Sequence, residues 1–170
     1  MTKIQIFGLS GLLAIGCGSP PYAEINGEVA GYTLKAQTVF WGGPFLVMVD
    51  QPMDCMDMAW VKRGTNFRDG DEAPLDDDIV ALLFTYESDE VVAQNTNLEG
   101  DAPVDSRLLI TRDGALAVYR ATAGELDVQD FSDNDDVFGD FSVVFNTDDE
   151  EASLTGDFQL AWCNNLKTRY

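Results

Sequence analysis

The side chains that could do chemistry in this chain are carboxylates and cysteines. There is no histidine, which removes the usual Ser-His-Asp and Cys-His arrangements and the commonest general base. Thirty acids are present, 21 of them Asp. Three clusters offer hard oxygen ligands: Asp69-Gly70-Asp71-Glu72, Asp76-Asp77-Asp78, and Asp130 through Asp136. In the third, Asp133, Asp135 and Asp136 have the alternating spacing of an ion loop, so calcium is the metal to expect there. The loop departs from the usual calcium pattern, because Phe138 stands where the sharp turn needs Gly and no Glu closes it. The plainer reading of each cluster is a solvated acidic turn. Paired acids also hydrolyse glycosides, but no pair here is singled out by flanking aromatics, and no phosphate-cradling Gly loop occurs. No catalytic residue is assigned.

The first 17 residues carry the most specific pattern. Lys3 is followed by an apolar run from Ile4 to Ile15 that ends in Gly16-Cys17. A basic start, an apolar stretch too short to span a bilayer and a small-residue end are the layout of an export signal. Leu12-Leu13-Ala14-Ile15-Gly16-Cys17 resembles the lipobox of bacterial lipoproteins. The resemblance implies cleavage before Cys17 and lipidation of its thiol. It also implies attachment to the cell envelope, at the outer membrane where one exists, because Gly18 rather than Asp follows the cysteine. Residues 1–16 are then the signal, 17–23 the lipidated Cys and tether, and 24–170 one acidic domain. Ala14 departs from the family, which prefers Leu at that place.

The chain from Cys17 to Tyr170 has 154 residues, enough for one domain with a real core. The net charge is −20, while 45% of residues are hydrophobic. That hydrophobic content argues against disorder, and the charge repels nucleic acid. With Cys17 lipidated, Cys55 and Cys163 remain as a pair. An exported chain meets oxidising conditions, so a Cys55–Cys163 disulfide is expected, worth about 4–5 kcal/mol in the chain-entropy model. Two Cys without His make zinc a poor prospect.

Most of the domain reads as strands. Glu28–Leu34 and Lys35–Trp41 mix β-branched and aromatic residues, and Phe45–Val49 is a continuous apolar run. Asp50 and Pro52 look like the cap and first turn of a short helix, Pro52–Val61, with Met53, Met56 and Trp60 at helical spacing. Ile79–Tyr86 is apolar on both parities, which predicts cover on both faces. Val91-Val92-Ala93 suggests a weak strand. Arg112-Asp113-Gly114 signals a tight hairpin, and Gly124–Val128 a turn and short strand.

Gly-Asp-Phe recurs in Val137–Val143 and Leu154–Leu160, around a turn-rich stretch from Asn146 to Glu151. One antiparallel register satisfies both copies. It sets Gly139 opposite Phe158, Phe141 opposite Gly156, Val143 opposite Leu154 and Phe145 opposite Ala152. Phe141, Val143, Phe145, Leu154, Phe158 and Leu160 then share a face, and Phe141 and Phe158 each cover the gap left by the Gly opposite.

About ten short strands, one helix and polar turns predict an all-β domain. An antiparallel β-sandwich is the first expectation and a small β-barrel the alternative. The function expected is a non-enzymatic envelope lipoprotein, held to the membrane by lipid and used for structure or for interaction with an envelope partner. A small-molecule-binding barrel and a calcium-binding module are the alternatives.

Overall fold

The computed structural model describes residues 20–73, 78–131, 136–147 and 150–166. Nine strands form one sheet: β1 (Tyr22–Gly27), β2 (Thr38–Gly42), β3 (Phe45–Val49), β4 (Val80–Tyr86), β5 (Asn95–Asn97), β6 (Val104–Arg112), β7 (Ala115–Phe131), β8 (Val137–Asn146) and β9 (Glu151–Trp162). A 3₁₀ helix, Cys55–Asn66, and a short 3₁₀ turn, Asn164–Leu166, complete the described elements. Seven strands close a ring in the order β2-β3-β4-β6-β7-β8-β9 and back to β2. β1 and β5 are added outside the ring, on β9 and β7. The domain is therefore all-β, and it takes the barrel alternative in place of two packed sheets. The closing pair is parallel, Phe40 with Ala161 and Trp41 with Trp162, whereas the other pairings are antiparallel. A pairing between residues 121 positions apart in the chain leaves no local signal.

The barrel has two apolar regions because β3, β4 and part of β6 are covered on both faces. All seven residues of β4 and all five of β3 are buried. Leu46, Met48, Leu82, Phe84, Leu108 and Ile110 point into the lumen with Phe141, Phe145 and Phe158. Phe45, Val47, Val49, Ala81, Leu83 and Leu109 face outward and are capped by Met58, Trp60 and Val61 of the 3₁₀ helix. A continuous apolar run is what such double cover requires.

The terminal hairpin has the register its sequence demands. Gly139 faces Phe158, Phe141 faces Gly156, Val143 faces Leu154 and Phe145 faces Ala152. Phe141, Val143, Phe145, Leu154, Phe158 and Leu160 are all buried. A Cβ on Gly139 would lie 2.6 Å from the Phe158 ring, and one on Gly156 would lie 3.1 Å from the Phe141 ring. The glycines thus make room for the rings. A one-residue slip would expose one strand's apolar set, at about 1.5–3 kcal/mol for each Phe. The two rings stack at 6.5 Å, and Phe141 also meets Phe84 at 5.5 Å.

Several local expectations are corrected. Val29–Tyr32 is a tight turn, with Ala30 and Gly31 at φ 52° and 81°, so Glu28–Leu34 is not a strand. The strand after β4 is Asn95–Asn97 rather than Val91–Ala93, because Val91 turns inward as a core residue. Gly124 does not end a strand: at φ 135° it bends β7 beside a register shift between Ala121 and Ala123, and the strand runs on to Phe131. The helix begins at Cys55 and is 3₁₀ in type. Asp50 does not cap it; its carboxylate accepts the Val80 N–H at 2.8 Å. Three residues per turn also rotate Met56 outward, to 76% exposure. Tyr22 and Ala23, expected in the tether, already belong to β1.

Cys55 and Cys163 form the expected disulfide, with Cα atoms 5.5 Å apart. It joins the start of the 3₁₀ helix to the residue after β9, across 108 positions of sequence. Among the described residues, no helix is long and apolar enough to cross a membrane.

Candidate functional site

A concave surface lies at the barrel end where β6 turns into β7. Arg112 closes β6, and Asp113-Gly114 forms the two-residue turn, with φ 51° and 79°. Positive φ at both central residues is the type I′ geometry that matches strand twist. Across the opening, Val29 and Tyr32 exchange two backbone hydrogen bonds of 3.0 Å, which makes a second tight turn. Val29 and Leu34 anchor this segment in the lumen core. It holds Tyr32 over the barrel mouth, where Arg112 Nη1 donates to the Tyr32 hydroxyl at 3.2 Å.

A cleft of about 350 Å³ opens on one side of that pair, with Ile110, Ala117 and Tyr119 for its floor and Asp69 on its rim. The cleft has a structural cause. β7 pairs with β6 through Arg120 but meets β8 only from Ala121 onward. Glu72 bridges Ala115 and the Gly70-Asp71 backbone bonds Leu116, so among the described residues the wall lacks a strand beside Ala117–Arg120, where the lumen-facing Ala117 and Tyr119 are only partly buried. The segment carrying Asp69 is fixed by Gly70 N–H to Leu116 O at 2.8 Å and Leu116 N–H to Asp71 O at 3.1 Å.

A second cleft, about 290 Å³, lies on the other side of Tyr32 and Arg112 and includes Asp50, Asp78 and Thr111. Burial pushes the Asp50 carboxyl above the usual carboxylate range, against the opposing pull of its Val80 hydrogen bond. Asp78 accepts the Asp113 N–H at 2.9 Å, which places a carboxylate beside the turn. Arg112 Nε lies 3.8 Å from Asp113, and both side chains are well exposed, so this ion pair stabilises little. The hydrogen bond to Tyr32, then the neighbouring carboxylates, hold the guanidinium firmly protonated. Among the described residues, the mouth thus combines the Arg112 cation, the Tyr32 and Tyr119 phenols and several carboxylates.

The outer wall is more uniformly acidic. Asp127, Asp140, Asp157 and Glu24 stand directly opposite one another across β7, β8, β9 and β1. Gln129 relieves part of the crowding by donating to Asp140 at 2.8 Å. Tyr22 donates to Asp157, and that bond raises the phenol's pKa. Like charges directly opposite cost stability, so this row is a solvated face without a feature that marks a ligand.

Of the residues singled out from sequence, Cys55 and Cys163 are brought together. Cys17 lies outside the described residues, as do Asp133 and Asp135. Asp136 is described: its carboxylate accepts Gln159 Nε2 at 2.8 Å. Among the described residues, no three acidic or sulfur side chains converge on a point that could hold a metal ion. Tyr32 and Arg112 carried no site signal in the sequence. Each stands next to a turn dipeptide, and 80 residues separate them, so only the closed barrel makes them neighbours. Compared with known protein families, curated proteins and solved structures, the chain shows no match.

Proposed function

We propose that this chain is an exported envelope lipoprotein, anchored through Cys17, whose barrel serves binding or structure and not catalysis. The observation that carries the reading is the Cys55–Cys163 disulfide. Such a bond belongs to an oxidising compartment. It also consumes both cysteines of the domain and leaves Cys17, at the end of the apolar run, as the one cysteine outside it.

The tether fits the same reading. β1 starts at Tyr22, so a lipid on Cys17 holds the barrel within roughly 15–18 Å of the bilayer, even with an extended chain. The acidic wall keeps such a domain soluble and repels nucleic acid. The lack of His supports a non-enzymatic role. Gly18 after the lipidated residue favours the outer membrane where there is one.

The test is metabolic labelling with a fatty-acid probe. The wild-type protein is expected to take the label and partition with membranes, and Cys17→Ser to lose both properties. Equal labelling of the mutant would remove the anchor. The small-molecule alternative is favoured by one observation, the 350 Å³ cleft at the barrel mouth.

A further inference from the structure

We propose that the barrel mouth binds a small zwitterion, a free α-amino acid with an apolar side chain. Arg112 and Tyr32 would take its carboxylate, Asp69 its ammonium group, and the Ile110, Ala117 and Tyr119 floor its side chain.

Size is the first argument. The cleft is about 350 Å³, near the lower end of the range for ligand sites, so it suits a ligand of amino-acid size and not a large cofactor. Its position is also one where barrels tend to bind ligands, the mouth. Its floor consists of the buried Ile110 and the partly buried Ala117 and Tyr119, from the lumen-facing row beside the stretch of β7 that has no β8 partner.

Charge decides the ligand class. A simple anion would find Arg112 but would also meet Asp69, Asp78 and Asp113, on a chain of net charge −20. A simple cation would be drawn by that field and then meet the Arg112 guanidinium. A zwitterion has no net charge, so the overall field neither attracts nor repels it. Its two ends can each face the opposite local charge. The Tyr32 hydroxyl already accepts a hydrogen bond from Arg112 at 3.2 Å, and its own proton is left to donate to a carboxylate. Both groups are held by tight turns before a ligand arrives, so little ordering accompanies binding.

The site is independent of the lipid anchor, and its test does not depend on Cys17. The full chain, in detergent, is titrated with L-leucine and L-phenylalanine by calorimetry or ligand-observed NMR. The methyl esters, which lack the carboxylate charge, and the N-acetyl derivatives, which lack the ammonium, are titrated beside them. Saturable binding of the free amino acids is expected, with each derivative weaker by about tenfold or more, the effect of losing a hydrogen bond to a charged group. Arg112→Gln should erase the advantage of the free acid over its ester. Asp69→Asn should erase the advantage over the N-acetyl form. Both residues are exposed, and unchanged melting curves would show that the variants fold. No saturation by about 10 mM ligand overturns the proposal. So does wild-type protein that binds ester or N-acetyl derivative as well as the parent, or binding that Arg112→Gln leaves intact.

Discussion

The lumen of the barrel and the layer outside it, under the 3₁₀ helix, are both apolar, yet they are assembled in opposite ways. Among the described residues, the lumen holds 24 buried ones, drawn mostly from strands that fix one another through their ladders. Aromatic rings from β4, β8 and β9 meet inside it. The outer layer has 13 among the described residues, and its lid is a 12-residue 3₁₀ helix, a form whose hydrogen bonds are poorly aligned and which seldom runs that long. That lid is fastened at its head by the Cys55–Cys163 bond. At its tail, Arg107 donates to Phe67 O at 3.3 Å, and both Arg107 and Arg120 bind Asp105 at 2.6 Å. Interlocking ladders make the lumen self-supporting, whereas a weak helix needs pins at both ends.

The largest effect should come from the lumen. Phe158→Ala empties the space over Gly139 and removes a ring stacked on Phe141, and it should cost about 3–5 kcal/mol in denaturant unfolding. The loss should appear equally in every probe, because the ring closes through this hairpin. A cost under about 1 kcal/mol would mean that the lumen tolerates a cavity and is not the self-supporting half.

Next should be the pin. Replacing both Cys55 and Cys163 with Ser should cost about 2–5 kcal/mol, the upper end being the chain-entropy value for so long a loop. Its signature should differ from that of the Phe variant. In hydrogen exchange, amides of Cys55–Asn66 should lose protection while those of β8 and β9 keep most of theirs. Uniform loss would erase the distinction between the two regions.

The smallest effect is a gain. The Tyr86 hydroxyl is buried in the lumen with no hydrogen-bond partner among the described residues. Tyr86→Phe should therefore stabilise by about 1 kcal/mol. Burial raises the pKa of this phenol, so the folded state keeps a proton that the unfolded chain releases above about pH 10. Its contribution is intact below that pH and falls as pH rises further. Urea midpoints from pH 8 to 11 should decline less steeply in the Phe variant. A lower midpoint for Tyr86→Phe at pH 8 would reveal a partner for the hydroxyl.

What could be read from the sequence divides along the same line between local and distant pairing. The β8–β9 register was legible because side chains alternate with a period of two and two Phe–Gly pairs admit a single alignment. The double cover of β3 and β4 was legible from runs apolar on both parities. The disulfide followed from the cysteine count and the expectation of export. Ring closure was not legible, since Trp41 and Trp162 pair in parallel without a local connection. Gly124 read as a break because a strand interior disfavours Gly, but in β7 it bends a strand that turns from β6 to β8. Helical spacing around Met53, Met56 and Trp60 did not distinguish a 3.6-residue from a 3-residue turn, and that difference decides which Met is exposed. Tyr32 and Arg112 each read as turn neighbours, and their meeting depends on the closed ring.

The closing pair also gives the molecule a mechanical character. The ring is welded over ten residue pairs between β8 and β9 but over only two between β2 and β9. Beside that short weld, the Trp41 and Trp162 rings meet at 4.5 Å and Cys163 N–H binds Trp41 O at 2.7 Å. Cys163 follows directly, bolted to Cys55. Under load, or in thermal breathing, the shortest weld is where a hoop parts first. Here the covalent bolt sits one residue from the parting line, so the oxidised barrel resists being sprung open and the reduced one has a ready seam.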